Sequence, residues 1–324
     1  MSSKKTILVV GGAGFIGSHV VKMLDQHGYR PIVFDNLSTG SRNAVTRGHF
    51  IEGDLANPSD LESVFNDFKI DAVMHFAGLI DVGESVKEPA KYYINNVSYT
   101  LNLLEAMRRH GVKILIFSST AAIFGIPEHN TPIKEDCPKQ PINPYGQTKL
   151  MVETILHDYD AAYGLKSTAL RYFNAAGGDP DGEIKNYKKK ESNLIPLILK
   201  SLQQPNGILT INGTDYLTPD GTCIRDYIHL EDLGSAHILA MEKLFNGAPS
   251  VNYNLGNGQG FSIREVIQAA EKVTGLHVKT HEGPRRPGDP SILIADSQKA
   301  KKELQWQPRY LSLESMITHA WQSL

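Results

Sequence analysis

The chain has 324 residues and a formal net charge of −2, because 33 Lys and Arg residues nearly balance 35 Asp and Glu residues. It therefore lacks the basic surface expected of a nucleic-acid-binding protein. Its only cysteines, Cys137 and Cys223, are too few for a disulfide framework or a thiolate metal site. The histidines are dispersed, so no metal site is expected, and the length suggests about two domains.

The amino-terminal apolar run is short and ends in glycines, which favours a buried strand over a signal peptide. No run approaches the ~20 apolar residues of a membrane span. We therefore expect a cytoplasmic protein. The densest basic cluster, residues 188–190, is interpreted as a solvated loop.

The first half of the chain alternates short apolar runs with segments long enough for helices. The apolar runs cover residues 6–10, 31–35, 71–76, 113–119 and 167–173. Between two of them, Asn57 is expected to cap a helix that begins at Pro58. Continuous apolar strands alternating with helices predict an α/β fold with a doubly wound parallel sheet.

Beyond Asn174 the pattern becomes less regular, which predicts a smaller carboxy-terminal domain of mixed α/β structure. The segment "RDYIHLEDLGSAHILAMEKL" is expected to return a helix to the large domain. The predicted domains are residues 1–174 plus 226–254 for the cofactor, and residues 175–225 plus 255–324 for the substrate.

The first predicted strand leads through "VVGGAGFIGSHVVKML" into a helix. Gly11, Gly14 and Gly17 permit a tight turn, close approach of a pyrophosphate and close packing of helix on sheet, as in a Rossmann dinucleotide site. The unpaired amides of the helix then face the phosphates. Asp35 ends the second strand, where a carboxylate would bind the ribose hydroxyls and repel a 2′-phosphate, so NAD is predicted. The alternative is that Asp35 only caps its own loop.

Tyr145 and Lys149 are four residues apart in "NPYGQTKLMVE", so they share one face of a predicted helix. A fixed cation beside a tyrosine favours the phenolate and lowers its pKa. The pair is therefore a candidate proton-transfer device. The alternative is an ordinary amphipathic helix with a solvated lysine.

A series of motifs across nearly the whole chain resembles the extended short-chain dehydrogenase/reductase family, and within it the UDP-hexose 4-epimerases. The motifs include "GGAGFIGSH", "HFAG", "YYINNV", "FSST", "PYGQTKLMVE", "LRYFNAAG", "DGTCIRDYIHLEDL" and "PRRPGDP". The resemblance implies an NAD-dependent isomerase that oxidises a UDP-hexose at C4 and returns the hydride to the opposite face. The UDP-galactose/UDP-glucose pair is the expected substrate, with UDP-GalNAc/UDP-GlcNAc left open as an additional one.

The resemblance also assigns roles to residues. Tyr145 would be the base, Lys149 would hold the nicotinamide ribose, and Thr120 would hydrogen-bond the reacting oxygen. The alternative for Thr120 is a strand-end hydroxyl bonded to its own backbone. Further cofactor-binding positions are Phe15, Ile16, Asn36, Asp54, Leu55, Phe76, Ala77, Gly78, Asn95 and Tyr172. Substrate-binding positions, with Thr120 and Tyr145, are Asn174, Asn193, Leu194, Arg225, Arg286, Asp289 and Leu293.

Some positions separate this reaction from related ones. Dehydratases of the family carry acidic residues after the Thr, whereas Ala121 and Ala122 follow Thr120 here. Leu293 is intermediate in bulk at the position that screens the sugar 2-substituent. Ile80 replaces a lysine found in some epimerases. The alternatives are a UDP-GlcNAc or UDP-glucuronate 4-epimerase, a non-catalytic NAD-sensing protein, and an NADPH-dependent ketoreductase, which Asp35 disfavours. The family suggests a homodimer formed through the helices in "YYINNVSYTLNLLEAMRRH" and "PYGQTKLMVETILHDYDAAYG".

Overall fold

The computed structural model describes residues 4–127, 131–187, 191, 193–286 and 289–324. The basic cluster at residues 188–190, interpreted above as a solvated loop, lies outside these residues. The chain divides into two units. The first unit comprises Met1–Gly125, Lys139–Arg171 and Gly234–Tyr253, and the second comprises Ile126–Pro138, Tyr172–Leu233 and Asn254–Leu324.

The first unit is built on a seven-stranded sheet with the order β10-β6-β5-β4-β1-β2-β3. Its strands are β1 (Thr6–Val10), β2 (Arg30–Asp35), β3 (His49–Glu52), β4 (Ala72–His75), β5 (Ile114–Thr120), β6 (Lys166–Tyr172) and β10 (Val251–Leu255). Strand β1 pairs in parallel with β2 and β4, as β2 does with β3 and β4 with β5. The order reverses direction at β1, as in a doubly wound sheet. This confirms the predicted fold class.

Helices lie between these strands in sequence. They are α1 (Phe15–Gln26), α2 (Pro58–Asp67), α3 (Val82–Lys87), α4 (Pro89–Tyr93), α5 (Tyr99–Arg109), α6 (Pro144–Tyr163) and α8 (Leu230–Phe245), with one π-helical turn at Ile94–Ser98. The Asn57 side chain caps α2 by accepting the Ser59 N–H, with Pro58 at the first helical position, as predicted. Helix α8 begins in the second unit and continues in the first from Gly234, so the predicted return of a helix is confirmed.

Helix α6 has strong sequence signals at both ends. Asn143 accepts a hydrogen bond from the Gly146 N–H, and Pro144 occupies the first helical position, where its missing N–H is harmless. Gly164 ends the helix in the left-handed conformation. Val152 and Leu156 are buried in the core together with Leu115 and Phe117 of β5. These contacts hold α6 against the sheet.

The second unit has two small sheets around a core of its own. Its strands are β7 (Asn174–Ala176), β8 (Leu209–Asn212), β9 (Ile224–His229), β11 (Gly260–Ser262), β12 (Thr280–Gly283) and β13 (Ile292–Leu293). Strand β9 is central, since it pairs in parallel with β7 and β13 and antiparallel with β11. Its helices are α7 (Leu194–Gln203), α9 (Ile263–Thr274), α10 (Gln298–Glu303) and α11 (Leu313–Gln322). Helices α7, α9 and α11 supply most of the buried apolar side chains.

The predicted boundaries differ from the observed ones at several points. Residues 126–138, 172–174, 226–233 and 254 belong to the second unit, not to the first. A long-range pairing explains the first of these segments, because the Ile133 N–H donates to the Ile294 carbonyl and the Asp296 N–H donates to the Ile133 carbonyl. Within the described part of the chain, no helix is long and apolar enough to cross a membrane.

Candidate active site

The glycine loop between β1 and α1 requires its glycines. Gly11 has a φ of +81°, and a β-carbon there would lie 2.4 Å from the backbone nitrogen of Ala77. A β-carbon at Gly17 would lie 2.3 Å from the carbonyl oxygen of Gly11. Helix α1 starts after Gly14 with no side-chain cap and no acidic residue in its first turn. Its amides, including those of Phe15 and Ile16, are therefore suited to an anion such as a pyrophosphate.

Asp35 lies at the end of β2 with a buried carboxylate. Its Oδ2 accepts the Ala13 N–H at 2.9 Å, and its Oδ1 accepts the Leu37 N–H at 2.8 Å. Burial raises the pKa of Asp35, and the two amide donors oppose that rise. The carboxylate therefore does cap its own loop, yet each oxygen keeps a further lone pair for a hydroxyl donor. The two interpretations made from the sequence are compatible.

Other predicted cofactor positions also follow the carboxyl ends of strands in the first unit. Asn36 donates to Asp54 Oδ2 at 2.9 Å, and Leu55, beside Asp54, is buried. The Phe76 and Ala77 amides donate to the Val10 carbonyl just after β4. Because the carboxyl ends of parallel strands meet at one edge of the sheet, these residues share that edge.

The next positions continue along the same edge. A β-carbon at Gly78 would lie 3.5 Å from Lys149 Nζ. Asn95 donates to the Asn96 side chain, which donates in turn to Thr148 Oγ1 on α6. The buried Asn96 was not identified from the sequence. Tyr172 is the last residue of β6 and belongs to the second unit. Ile80, at the position where some epimerases have a lysine, is exposed.

Thr120 and Tyr145 form a hydrogen-bonded pair. Thr120 ends β5, and its Oγ1 accepts the Ala122 N–H at 3.2 Å. Its side chain also hydrogen-bonds that of Tyr145, in the first turn of α6, and this bond acts to lower the tyrosine pKa. A hydroxyl has one donor and two acceptor lone pairs, so both contacts can form at once. The backbone contact expected of a strand-end hydroxyl is therefore present, and the contact of Thr120 with a reacting oxygen stays a prediction.

Lys149 is a buried cation one helical turn beyond Tyr145. Its Nζ donates to the Ser118 carbonyl at 2.8 Å and lies 4.8 Å from the centroid of the Phe117 ring. Burial lowers the pKa of Lys149 to about 8, and the charge of Glu153 opposes that fall. Nearby on β4, burial and then the charge of Lys149 lower the pKa of His75 to about 3, so His75 is neutral at pH 7.

The sequence predicts that Lys149 lowers the pKa of Tyr145, and the structure contradicts this prediction. Burial raises the pKa of Tyr145 above its usual value, and only the bond from Thr120 opposes the rise. Lys149 instead directs its ammonium to a backbone carbonyl of β5. The arrangement nevertheless places a phenol, a hydroxyl donor and a buried cation at one end of one helix. Such a group can move a proton to and from a substrate hydroxyl.

The predicted substrate positions cluster around β9 in the second unit. Arg225 pairs with Asp289 through its Nη2 and donates from Nη1 to the Ile224 carbonyl. Leu293 on β13 lies directly opposite Arg225 in the parallel register. Asn174 on β7 donates to the Asp226 carbonyl at 2.8 Å.

The remaining substrate positions lie elsewhere in the second unit. Asn193 precedes α7 and leaves that helix without a side-chain cap, and Leu194 is its first residue. Arg286 is exposed.

Asp226, which is not among the residues predicted from the sequence, holds this cluster together. Its buried carboxylate accepts three backbone N–H groups, from Asn257, Gly258 and Ala295, at 2.7 to 3.0 Å. Those bonds fix the loop after β10 and the segment that directly follows Leu293 and β13. The signal available in the sequence is an acidic residue within a short strand, "IRDYIH", next to the predicted substrate residue Arg225.

Comparisons with known proteins find relatives along nearly the whole chain. Residues 7–256 match the model of the NAD dependent epimerase/dehydratase family. The chain is 49% identical to a UDP-glucose 4-epimerase of Halalkalibacterium halodurans, over 97% of this chain and 94% of that one. It is similar to the crystal structure of UDP-glucose 4-epimerase from Brucella ovis in complex with NAD, with a TM-score of 0.95 and 47% identity over 98% and 97% of the two chains. It also matches the UDP-Glc/GlcNAc 4-epimerase of Campylobacter jejuni, with a TM-score of 0.86 and 42% identity over 98% of each chain.

Proposed function

This chain belongs to the NAD dependent epimerase/dehydratase family, and we propose that it is an NAD-dependent UDP-hexose 4-epimerase whose first substrate pair is UDP-galactose and UDP-glucose. The single observation that carries this proposal is the Thr120–Tyr145 hydrogen bond beside the buried Lys149, at the same sheet edge as the glycine loop. The relatives named above, matched along nearly their whole length, support the same activity.

The residues present fit NAD in the first unit. The uncapped amides of α1 suit the pyrophosphate, and the absence of β-carbons at Gly11 and Gly17 permits the close backbone packing that forms the loop before this helix. Asp35 retains acceptor capacity for ribose hydroxyls and would repel a 2′-phosphate. When bound, NAD would supply the reversible hydride acceptor for C4, and the positive charge of its oxidised ring would favour the phenolate form of Tyr145.

Tyr145 is the proposed base that takes the proton of the sugar 4-hydroxyl. The Thr120 hydroxyl, donating to the tyrosine oxygen, stabilises the phenolate when it forms. Because burial raises the pKa of Tyr145, the phenol is neutral in the free protein at pH 7. We propose that Lys149 remains an ammonium, which adds positive charge to the site and holds the cofactor ribose. On reversal, Tyr145 returns the proton to the 4-oxygen.

Elimination of water from the sugar would need an acid and a base beyond this pair. The two residues after Thr120 are Ala121, which is buried, and Ala122, whose carbonyl oxygen would lie 2.6 Å from a β-carbon at Gly146. Neither position offers an ionisable side chain. We therefore propose that the reaction stops at oxidation and hydride return, with no dehydration.

The second unit is the proposed UDP-sugar anchor. Arg225 has a planar guanidinium suited to bidentate phosphate binding, and Asp289 and Asn174 lie close to it around β9. We propose that Asn193, Leu194 and Arg286 complete the nucleotide site. Together with NAD binding by the first unit, this assigns one ligand to each unit.

A second candidate substrate pair is UDP-GlcNAc and UDP-GalNAc. The observation that favours it is Leu293, a branched aliphatic side chain without the reach of an aromatic ring, placed opposite Arg225. The Campylobacter jejuni relative, at 42% identity, is named a UDP-Glc/GlcNAc 4-epimerase, so its name includes an N-acetylated sugar. The uronate alternative would need a cation for the C6 carboxylate, and the described cluster offers none beyond the arginines already assigned to phosphate.

Two other classes of function fit the site less well. An NAD-sensing protein without catalysis has no need of a phenol, a hydroxyl donor and a buried ammonium, and burying that ammonium is unfavourable. A net ketoreductase that uses NADPH would place a phosphate beside the Asp35 carboxylate.

We also propose that the protein is a cytoplasmic homodimer that assembles through α5 and α6 and the segment leading into α5. Ile94, Met151 and Tyr163 on these helices are exposed apolar residues. Met151 lies on the side of α6 away from Tyr145 and Lys149, since two residues correspond to about 200° of helical rotation. Sedimentation velocity should give twice the chain mass, and Met151→Glu should shift it toward the monomer.

Thr120→Val should lower kcat by roughly 10–100-fold, because a hydrogen bond to a charged group contributes about 1.5–3 kcal/mol. Valine has nearly the same shape but cannot donate to the Tyr145 oxygen. The acid limb of the pH–rate profile should move to higher pH, since the tyrosine pKa rises further. Thr120→Ser is the matched control and should stay within a few-fold of wild type. A valine variant with wild-type kcat would remove Thr120 from the mechanism.

The proposed function is tested by assaying UDP-Gal, UDP-GalNAc, UDP-GlcA and UDP-Xyl side by side without added reductant. We expect the purified protein to carry NAD and to interconvert UDP-galactose and UDP-glucose. The UDP-GalNAc assay decides the second candidate. Conversion of UDP-GlcA or UDP-GalNAc with no activity on UDP-galactose would contradict the primary assignment.

A further inference from the structure

Glu153 continues the line of Tyr145 and Lys149 along α6. The three residues are spaced by four, so each lies about one turn beyond the last on the same face of the helix. Glu153 is buried, with a side-chain exposure of 5%, and its partner Arg171 has 2%. The proposed mechanism gives neither of these two buried charges a role.

The Glu153 carboxylate is fully engaged by two strands of the sheet. Its Oε1 accepts from Ser119 Oγ at 2.6 Å and from Arg171 Nε at 3.0 Å, and its Oε2 accepts from Arg171 Nη2 at 2.6 Å. Ser119 immediately precedes Thr120 on β5, and Arg171 immediately precedes Tyr172 on β6. One carboxylate therefore ties the catalytic helix to the strand that carries the hydroxyl donor and to the next strand.

A contribution to stability does not by itself explain why Glu153 and Arg171 form a buried ion pair. A buried ion pair often contributes no more than well-packed apolar residues would, because removing both charges from water is costly. What the pair does fix is position, since a bidentate guanidinium–carboxylate contact permits only one relative placement of helix and strand. The register of Tyr145 against Thr120 depends on that placement.

The charge of Glu153 also acts on Lys149. Burial lowers the pKa of Lys149, and Glu153 opposes that effect. Among the residues that the structure describes, the other groups placed near the ammonium carry no negative charge: His75 on β4 is neutral, and the Ser118 carbonyl and the Phe117 ring of β5 are uncharged. Glu153 is therefore the acidic group on α6 that sustains the ammonium form.

We propose that Glu153, clamped by Arg171 and Ser119, is a positioning residue for the epimerase site: it holds α6 in register with β5 and keeps Lys149 protonated at the pH of catalysis. This inference rests on the proposed function for its kinetic consequences. Its electrostatic part does not, because the charge state of Lys149 also affects the folding equilibrium.

The test is the pH dependence of kcat in four proteins: wild type, Glu153→Gln, Arg171→Met and Ser119→Ala. Loss of the Lys149 proton produces the alkaline limb. Glu153→Gln removes the supporting negative charge and takes away the carboxylate partner of Arg171, so the alkaline limb should move down by roughly one pH unit. Arg171→Met removes the positive charge that opposes Glu153, so the alkaline limb should move to higher pH. Ser119→Ala removes one hydrogen bond without changing charge, so kcat should fall a few-fold with the limb in place.

If the ion pair had a purely structural role, Glu153→Gln and Arg171→Met would both lower kcat without moving the alkaline limb of the pH–kcat profile in opposite directions. That result would overturn the proposal. If Glu153→Gln does not fold, the double variant with Arg171→Met removes both members of the ion pair, so neither is left buried without the other. The alkaline limb of this double variant should lie at a pH between the limb of the wild type and the limb expected for Glu153→Gln. A double variant with the wild-type limb would also overturn the proposal.

A second readout separates this proposal from the proposed function. The unfolding free energy of the wild type should rise with pH from about pH 8, where folded Lys149 loses its proton before the unfolded chain does. That rise should begin at lower pH in Glu153→Gln and at higher pH in Arg171→Met, whether or not the protein epimerises any sugar. An unchanged onset in both variants would overturn the positioning proposal alone.

Discussion

Tyr145→Phe should reduce turnover of UDP-galactose by roughly 10²–10⁴-fold, the range expected when a general acid–base group is lost. The change removes one oxygen atom, the one to which the Thr120 hydroxyl hydrogen-bonds. The remaining contact of Thr120, from the Ala122 N–H, does not depend on the phenol. Bound NAD and affinity for UDP-sugar should therefore be retained, and kcat rather than KM should carry the loss.

Tyr159→Phe is the matched control for this variant. Tyr159 lies on the same helix and donates to Glu105 Oε1 at 2.7 Å, so the same atom is removed with one hydrogen bond. That change should cost about 1 kcal/mol of stability and leave kcat unaltered. Equal turnover in Tyr145→Phe and Tyr159→Phe would exclude Tyr145 as the base.

Lys149→Met should abolish most of the activity while leaving the fold as stable as the wild type or more stable. The folded pKa of Lys149 is about 8 against an ordinary value of 10.5. A difference of about 2.5 pH units corresponds to about 3 kcal/mol of unfavourable burial at neutral pH. Methionine fills a similar volume without a charge, and the lost bond to the Ser118 carbonyl offsets about 1 kcal/mol of that gain.

The functional loss in Lys149→Met should again be roughly 10²–10⁴-fold in kcat, together with weaker retention of NAD. Lowering a lysine pKa on folding makes stability rise with pH between about 8 and 10.5, and Lys149→Met should lack this rise. Lys166→Met is the control, because Lys166 is a half-exposed lysine paired with Asp160. A large loss of stability in Lys149→Met with full activity would contradict both parts of the account.

The interior of the large sheet could be predicted from sequence, and its edges could not. Strand β1 has the predicted bounds, and the four other predicted strands differ by one residue at one or both ends. The two missed strands, β3 and β10, are the two edges of the sheet. Edge strands are not buried on both sides, so "HFIE" and "VNYNL" lack the continuous apolar run that marks an interior parallel strand.

The site shows a similar division between local and long-range signals. Tyr145, Lys149 and the glycine loop are each recognisable within one short segment. The role of Glu153 depends on Arg171, eighteen residues away and on another element, so the spacing of four was the only local sign. The pKa of Tyr145 was mispredicted because burial, which decides its direction, is a property of the folded site.

In the proposed reaction, the hydride leaves C4 of the sugar and returns to C4 within one bound complex. The most direct measurement is to incubate the protein with UDP-galactose carrying deuterium at C4, without added cofactor, and to follow the label in the UDP-glucose formed. We predict that the deuterium stays at C4 and that none enters the solvent. Release of the label to water, or formation of UDP-glucose with hydrogen at C4, would contradict oxidation and hydride return at this site.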